Sequence, residues 1–121
     1  MISYKKEFIE FIHNLQDEIC ESIENEEEKE KFKEDIWERP EGGGGKTRII
    51  ENGALIEKGG VNTSIVFGTL PEIMQKQFKV KEGDFFACGI SLVLHPNNPF
   101  IPTVHANYRY FELYDNDHKL V

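Results

Sequence analysis

The sequence has few cysteines and no long hydrophobic run. Its 121 residues include only Cys20 and Cys88, so a disulfide-stapled scaffold and a cysteine-rich metal site are not expected. Both cysteines stand among apolar residues, which predicts buried free thiols in a reducing compartment. No stretch approaches the roughly 18 apolar residues that a membrane-spanning helix needs, and no charged-then-apolar leader suggests export. We therefore expect a cytoplasmic protein without a membrane span.

Basic residues are also scarce relative to acidic ones. The chain carries 14 Lys and Arg against 22 Asp and Glu, which gives a formal net charge of −8. The acidic excess lies within residues 1–41, whereas residues 42–121 hold equal numbers of acidic and basic side chains. A net acidic chain without a basic stripe argues against nucleic-acid binding. We interpret the acidic segment as a solubilising surface.

The first third of the chain has the spacing of helices. Apolar residues recur every three or four positions from Tyr4 to about Ser22, as in an amphipathic helix. Asn25 followed by Glu28 resembles a helix N-cap with its reciprocal acid, and it predicts a second helix that reaches Trp37. Pro40 and four glycines would end that helix. Residues 1–40 are therefore predicted to be helical.

The rest of the chain reads as short strands. Thr47–Glu51 and Ala54–Lys58 flank Asn52-Gly53, a strong hairpin signal, and Gly59-Gly60 is expected to break the chain before a third strand, Val61–Phe67. A short connecting helix is predicted after Pro71. A long hairpin follows, from Phe85 to Glu112. The prediction is one α+β domain over residues 1–121, with helices first and a mostly antiparallel sheet over residues 46–114.

The long hairpin sorts its side chains by parity, because successive side chains in a strand point to opposite faces. Even-numbered positions of its first strand are apolar. If the odd-numbered faces of both strands coincide, one surface holds Ser91, His95, His105, Asn107 and Arg109. Small residues, two imidazoles, an amide and a guanidinium build a poor core. We interpret this surface as the floor of a site for an anionic ligand.

The run GGGGKT over residues 42–47 invites comparison with a phosphate-binding loop. That loop needs a glycine six residues before its lysine, a preceding strand and a following helix. Here Pro40 stands six residues before Lys46, and a strand is predicted to follow. A flexible turn or lid, in which glycine lets the backbone approach a ligand, is the better interpretation.

Three side chains of the hairpin have both a chemical and a structural interpretation. His95 and His105 flank the Pro/Asn loop and could hold a divalent metal, although no third ligand has convincing spacing. His105 is either an acid–base group or a hydrogen-bonded sheet histidine. Arg109, which we place on an inner strand, suits a carboxylate or phosphate ligand, or else pairs with an internal acid such as Glu51 or Glu57.

Three segments together resemble the oxygen-dependent coproporphyrinogen-III oxidases of haem biosynthesis. They are NLQDEIC, WERPEGGGGKTRIIENGALIEKGGVN and FFACGISLVLHPNNPFIPTVHANYRYFE, and the similarity is nearly collinear over residues 8–113. The resemblance implies an oxidoreductase that converts two propionates of coproporphyrinogen III to vinyls, giving protoporphyrinogen IX with consumption of O₂ and release of CO₂. It also implies a large flat antiparallel sheet with helices on both sides and a homodimer.

The resemblance also assigns roles by position. By this resemblance, His105 matches the family's proton donor and Ser91 matches a substrate contact. The run Asn107, Tyr108, Arg109 matches a substrate-binding segment. His95 and His105 match positions suggested as metal ligands. No organic cofactor is implied, and O₂ is the co-substrate; a divalent metal is a further possibility. Tyr108 has the opposite parity to its neighbours, so its contact is expected through the backbone.

Members of this family are more than twice as long as the present chain. The similarity therefore covers an N-terminal portion, and two interpretations stay open. One is an enzyme, or part of one, that acts on coproporphyrinogen. The other is a catalytically inactive, truncated fragment that binds a tetrapyrrole or serves as an interaction module.

Overall fold

A five-stranded antiparallel sheet with one helix against each face makes up the structure, a computed structural model that describes residues 2–79 and 82–121. The elements in chain order are α1 (Lys5–Glu27), β1 (Lys33–Glu38), β2 (Gly43–Glu51), β3 (Ile56–Thr69), α2 (Glu72–Phe78), β4 (Asp84–Pro96) and β5 (Val104–Tyr114). The order of the strands in the sheet is their order in the chain. The predicted α+β class with a mostly antiparallel sheet is confirmed.

Helix α1 forms because its apolar stripe has a partner in the sheet. Ile12 and Cys20 are buried against Val61 and the even-numbered residues of β4, Phe86 to Ile90. Gln16, buried between them, donates from Nε2 to the carbonyl oxygens of Lys46 at 2.9 Å and Val61 at 3.0 Å. Burial of apolar surface and these two bonds fix α1 across β2, β3 and β4. The predicted first helix is confirmed, and it extends further than expected.

Glu27 ends α1 and fastens it to the turn between β2 and β3. The buried carboxylate accepts hydrogen bonds from the backbone N–H groups of Lys29, Glu30, Leu55 and Ile56. Gly53 packs against it so closely that a Cβ there would collide with Glu27 Oε1. The bond from Ile56 and the other backbone donors outweigh burial and lower the pKa of Glu27 to about 2.

The second predicted helix, from Asn25 to Trp37, is wrong. Asn25 lies inside α1, and residues 33–38 form β1 at the edge of the sheet. The acidic residues of this segment would favour a helix in an isolated peptide, but pairing with β2 in the sheet outweighs this local preference. Glu34 lies opposite Arg48 and accepts its Nε–H at 2.7 Å. Residues 28–40 are therefore not helical.

Two further expectations about the glycines are also wrong. Gly43, Gly44 and Gly45 belong to β2 rather than to a flexible turn or lid. Strand β3 runs from Ile56 through Gly59 and Gly60 without a break. A Cβ on Gly59 would come within 2.9 Å of the Leu94 side chain, so close packing rather than a turn explains this glycine.

Strand β5 is held against the start of α1 by a buried carboxylate. Glu112 accepts hydrogen bonds from the hydroxyl groups of Ser3, Tyr110 and Tyr114. Burial raises the pKa of Glu112, but these donors outweigh it and leave the pKa below its ordinary value. Burial and the adjacent carboxylate raise the pKa of Tyr114 to about 12. The cluster fixes the strand that carries Asn107 and Arg109.

The two faces of the sheet are covered to different extents. Helix α1 packs on one face through the main hydrophobic core, and both cysteines lie buried there as free thiols, as predicted. On the opposite face a smaller apolar cluster, with Met74 of α2 against Phe85 and Phe111, covers only one end. The rest of that face, which we call the open face, has no helix over it within the described residues.

Candidate functional site

Strand register places three rows of residues on the open face. Residues opposite each other in antiparallel strands share a face, so each row crosses the sheet from β1 to β5. The polar row is Asp35, Thr47, Asn62, Ser91 and Asn107; the arginine row is Trp37, Gly45, Ser64, Gly89 and Arg109; the histidine row is Lys33, Ile49, Gly60, Val93 and His105. With strands about 4.8 Å apart, each row is about 19 Å long.

The predicted parity of the long hairpin is confirmed. Ser91 pairs with Asn107, and Gly89 pairs with Arg109, so the odd-numbered faces of β4 and β5 coincide. Ser91, Asn107 and Arg109 line a single shallow cavity of about 120 Å³ at the centre of the open face. Sites that enclose a drug-sized ligand have volumes of about 300–1,000 Å³. The described residues therefore form a floor that a large ligand would cover and not fill.

Trp37 forms one side of this cavity, and Gly45 makes room for it. The indole lies against the backbone of β2, where a Cβ on Gly45 would be 2.6 Å from the ring. Its Nε1 donates to Thr47 Oγ1 at 3.2 Å. Trp37 was not among the predicted site residues, because residue 37 was predicted to lie on a helix. Gly45 belongs to the glycine run that was predicted to be a turn, and its lack of a Cβ makes room for the ring.

Asn62 is the second cavity residue that the sequence analysis missed. It lies at the middle of the polar row, between Thr47 and Ser91. Its Oδ1 is buried and has no hydrogen-bond partner among residues 2–79 and 82–121. In β3, Asn62 points to the face opposite that of buried Val61 and Thr63. This alternation in the sequence was the available signal that Asn62 lies on the open face. Only the register with β4 shows that Asn62 adjoins Ser91.

Arg109 has no internal partner in the part of the chain that the structure describes. Neither Glu51 nor Glu57 forms an ion pair with it, and its side chain is exposed on the open face. The strand that carries it is also not an inner strand, since β5 is an edge of this sheet. An exposed guanidinium with five free donors is available to a carboxylate ligand.

The two histidines lie on the open face near its other end. His105 belongs to the histidine row, while His95 follows two residues after Val93 and approaches Thr103, with Nδ1 3.3 Å from Oγ1. Both imidazoles are exposed. Among residues 2–79 and 82–121, no three His, Cys, Asp or Glu side chains gather closely enough to hold a metal ion. Two imidazoles are fewer than the three protein ligands of a typical catalytic zinc site.

Tyr108 is separated from the other predicted substrate residues. It pairs with Ile90, which places it on the α1 side of the sheet, and it is 56% exposed. Its side chain therefore does not join Ser91, Asn107 and Arg109. This agrees with the parity argument that any contact of Tyr108 with a ligand on the open face is made through the backbone.

Charge differs between the two ends of these rows. The β4–β5 end carries Arg109, His95 and His105. At the β1–β2 end lies a larger cavity of about 390 Å³, whose charged lining residues are Glu30, Lys31, Lys33, Glu34, Asp35 and Glu51. Glu34 is already paired with Arg48 on the α1 side of the sheet, and the other three carboxylates outnumber the two ammonium groups, which disfavours an anion there. The open face thus directs the acidic groups of a ligand toward β5.

Comparison with known proteins connects this chain to a family. The family model described as coproporphyrinogen III oxidase matches residues 7–121. Coproporphyrinogen-III oxidase 2, chloroplastic, from Arabidopsis thaliana is 48% identical over 117 residues, which are 91% of this chain and 50% of that protein. An oxygen-dependent coproporphyrinogen-III oxidase of Prochlorococcus marinus is 51% identical over 104 residues, 84% of this chain and 30% of the relative.

A third relative gives the same picture. The oxygen-dependent coproporphyrinogen-III oxidase of Coxiella burnetii is 48% identical over 103 residues, covering 84% of this chain and 33% of the relative. The chain therefore spans between 30% and 50% of the length of these curated relatives. No helix in the described ranges 2–79 and 82–121 combines the length and the hydrophobicity needed to cross a bilayer.

Proposed function

Because this chain belongs to the coproporphyrinogen III oxidase family, we propose that its open face binds coproporphyrinogen III for oxidative decarboxylation in haem biosynthesis. The observation that carries the proposal is the position of Arg109. It is exposed on the same cavity as Ser91 and Asn107, and no described residue pairs with it. A tetrapyrrole with four carboxylates supplies the partner that this guanidinium lacks.

The reaction removes carbon dioxide and electrons from two propionates. Each propionate loses CO₂, two electrons and a proton, and it becomes a vinyl group. Two such steps supply the four electrons that reduce one O₂ to two waters, with two further protons from solvent. O₂ is the co-substrate in this proposal, and no organic cofactor takes part. We propose His105 as the proton donor, because it shares the open face with Ser91, Asn107 and Arg109.

The charge distribution orients the substrate in this proposal. Arg109, with Asn107 and Ser91, receives a propionate at the β4–β5 end, and the carboxylates around Glu51 and Asp35 repel it from the other end. Tyr108 contributes a backbone contact, since its side chain lies on the opposite face. The polar row would then lie beneath the macrocycle.

A divalent metal is proposed by the resemblance, but the described residues do not by themselves form its site. His95 and His105 are diagonal neighbours on adjacent strands, a spacing of about 7–8 Å that long side chains can bridge. No described carboxylate or thiol joins them. We therefore derive no step of the reaction through a metal ion.

The second candidate function is binding without turnover, and the small cavity favours it. A volume of about 120 Å³ cannot enclose a tetrapyrrole or exclude water from its propionates. In this alternative the 121-residue chain holds the ligand on its floor but does not decarboxylate it. Binding and turnover measured on the same sample distinguish the two candidates.

We also propose a homodimer in a reducing compartment such as the cytoplasm. Both edge strands of the sheet, β1 and β5, offer unpaired backbone groups, and Val104 and Tyr108 expose apolar surface on β5. The buried free thiols of Cys20 and Cys88 support a reducing environment.

The test of the substrate proposal is Arg109→Lys, read by affinity and by melting temperature. Trp37 is the single tryptophan and lines the cavity, so quenching of its fluorescence reports binding of coproporphyrinogen III under anaerobic conditions. Lysine keeps the charge but loses the planar fork. Losing a charge-assisted hydrogen bond to the ligand costs about 1.5–3 kcal/mol, or roughly ten- to a hundredfold in affinity. The melting temperature should change by less than about 2 °C.

Arg48→Lys is the matched control. Arg48 binds Asp17 at 2.8 Å and Glu34 at 2.7 Å on the opposite face of the sheet. This variant should lose stability and keep the affinity of the unmodified chain. A large drop in melting temperature for Arg109→Lys, with unaltered affinity, would show that Arg109 has a structural role and would overturn the proposal.

A further inference from the structure

The amide of Asn62 occupies the centre of the open face in a state that costs stability. Its Oδ1 is buried and accepts no hydrogen bond from any described residue. A buried acceptor without a donor lowers stability relative to the same atom in water, because it has lost its water partners and gained none. The neighbours in its row, Thr47 and Ser91, both carry a hydroxyl donor, but neither donates to Asn62 Oδ1.

The buried amide of Gln16 and the buried carboxylates of Glu27 and Glu112 all have hydrogen-bond partners. Gln16 donates hydrogen bonds to two carbonyl groups. Glu27 accepts hydrogen bonds from four backbone N–H groups, and Glu112 accepts them from three hydroxyl groups. Asn62 differs from them in one respect, because it lines the cavity that Arg109 and Asn107 also line. An unpaired buried acceptor on a residue that lines a cavity is explained if a ligand brings the donor.

We propose that Asn62 Oδ1 accepts a hydrogen bond from a pyrrole N–H of the tetrapyrrole. The inference rests on the proposed function and adds to it a contact to the macrocycle core. A carboxylate has no proton to donate, so the propionates cannot satisfy this oxygen, whereas a porphyrinogen carries four pyrrole N–H donors at its centre. Arg109 would hold the periphery of the ligand through a propionate, and Asn62 would hold its centre.

This arrangement would also distinguish a ligand that carries inner N–H groups from one that does not. The reduced porphyrinogen presents N–H donors, while a porphyrin whose inner nitrogens bind a metal presents none. Nickel(II) coproporphyrin III has the same four carboxylates and a square-planar metal in place of the inner protons. Asn62 should therefore contribute to binding of coproporphyrinogen III and not to binding of the nickel complex.

The experiment compares both ligands with the unmodified chain and with Asn62→Leu, using quenching of Trp37 fluorescence without O₂. Leucine has the same branched four-atom side-chain skeleton as asparagine and no amide. We expect Asn62→Leu to weaken the binding of coproporphyrinogen III by roughly five- to a hundredfold, since it leaves the ligand N–H without an acceptor. The affinity for nickel coproporphyrin III should change less than about twofold. Asn62→Val, whose β-branched side chain suits a strand, repeats the test if the leucine variant folds poorly.

Asn14→Leu is the control, because it makes the same substitution at an exposed position of α1 on the far side of the sheet. It should bind both ligands as the unmodified chain does. If Asn62→Leu weakens the binding of both ligands equally, the amide contacts a carboxylate. If the affinity for both ligands is unchanged, the amide contacts neither ligand. Either result overturns the inference and leaves the proposed function standing. Failure of the unmodified chain to bind either ligand would overturn both.

Discussion

Replacing Gln16 by leucine provides a quantitative test of how α1 is fixed to the sheet. The Gln16 amide is buried and donates to the carbonyl oxygens of Lys46 and Val61 at 2.9 and 3.0 Å. Each such bond contributes about 0.5–1.5 kcal/mol net, so their loss should destabilise the protein by about 1–3 kcal/mol. A chain of this size has a total stability of roughly 6–18 kcal/mol. The Gln16→Leu variant should therefore still fold.

The assay is urea denaturation followed by circular dichroism and by the fluorescence of Trp37. The midpoint should fall while the slope with urea stays the same, because the surface buried on folding hardly changes. At roughly 4 °C for each kcal/mol, the melting temperature should fall by about 4–12 °C.

The same amide-to-leucine change at Asn62 should have the opposite or no effect on stability, since it removes an acceptor that has no described partner. This contrast makes Asn62→Leu the matched control for Gln16→Leu. A loss below about 0.5 kcal/mol at Gln16, or an equal loss at both positions, would refute the reasoning from hydrogen-bond satisfaction.

Three further predictions concern acid stability, catalysis and assembly. The folded-state pKa of Glu27, about 2, lies below its ordinary value of 4.5, so the folded state binds fewer protons; the stability due to this carboxylate is complete above pH 4.5 and is lost as the pH falls toward 2. Glu27→Gln should flatten acid unfolding curves in that window, and an unchanged curve would contradict the assignment. The isolated chain should not turn over coproporphyrinogen III in air, because its cavity does not exclude water; formation of protoporphyrinogen IX would show the opposite. At tens of micromolar the chain should sediment as a dimer or larger species, since β1 and β5 leave edges unpaired, and a single monomer boundary would count against this.

The sequence predicted which residues of the long hairpin share a face better than it predicted the N-terminal third. Parity alone placed Ser91, Asn107 and Arg109 together, because side chains of a strand alternate strictly and a long hairpin fixes the register of its two strands. The same argument separated Tyr108 from them. Local pattern was sufficient there because the nearest partners lie within one hairpin.

Strand β1 shows why local pattern failed elsewhere. Its residues favour a helix, and what makes them a strand is pairing with β2, including the Glu34–Arg48 bond and the seat of Trp37 on Gly45. These contacts pair β1 with residues of another strand, and the sequence of β1 alone does not specify that pairing. Asn62 was missed for a related reason, since its place beside Ser91 depends on the register between β3 and β4. The resemblance to known oxidases supplied candidate roles for His95 and His105, which pattern alone left open.

The agreement between strand order and chain order has a consequence for how the protein folds. Each strand pairs with the strand before it, so most pairings close short loops, and rapid growth of the sheet is expected. Helix α1 precedes the five strands in the chain, yet its apolar stripe packs on Val61 and Phe86, which belong to β3 and β4. Until β4 joins the sheet, that stripe has no complete partner and is exposed to aggregation. We therefore expect the addition of β4 to the sheet to limit the folding rate. Packing of α1 on the sheet would then depend on the same strand that contains Ser91.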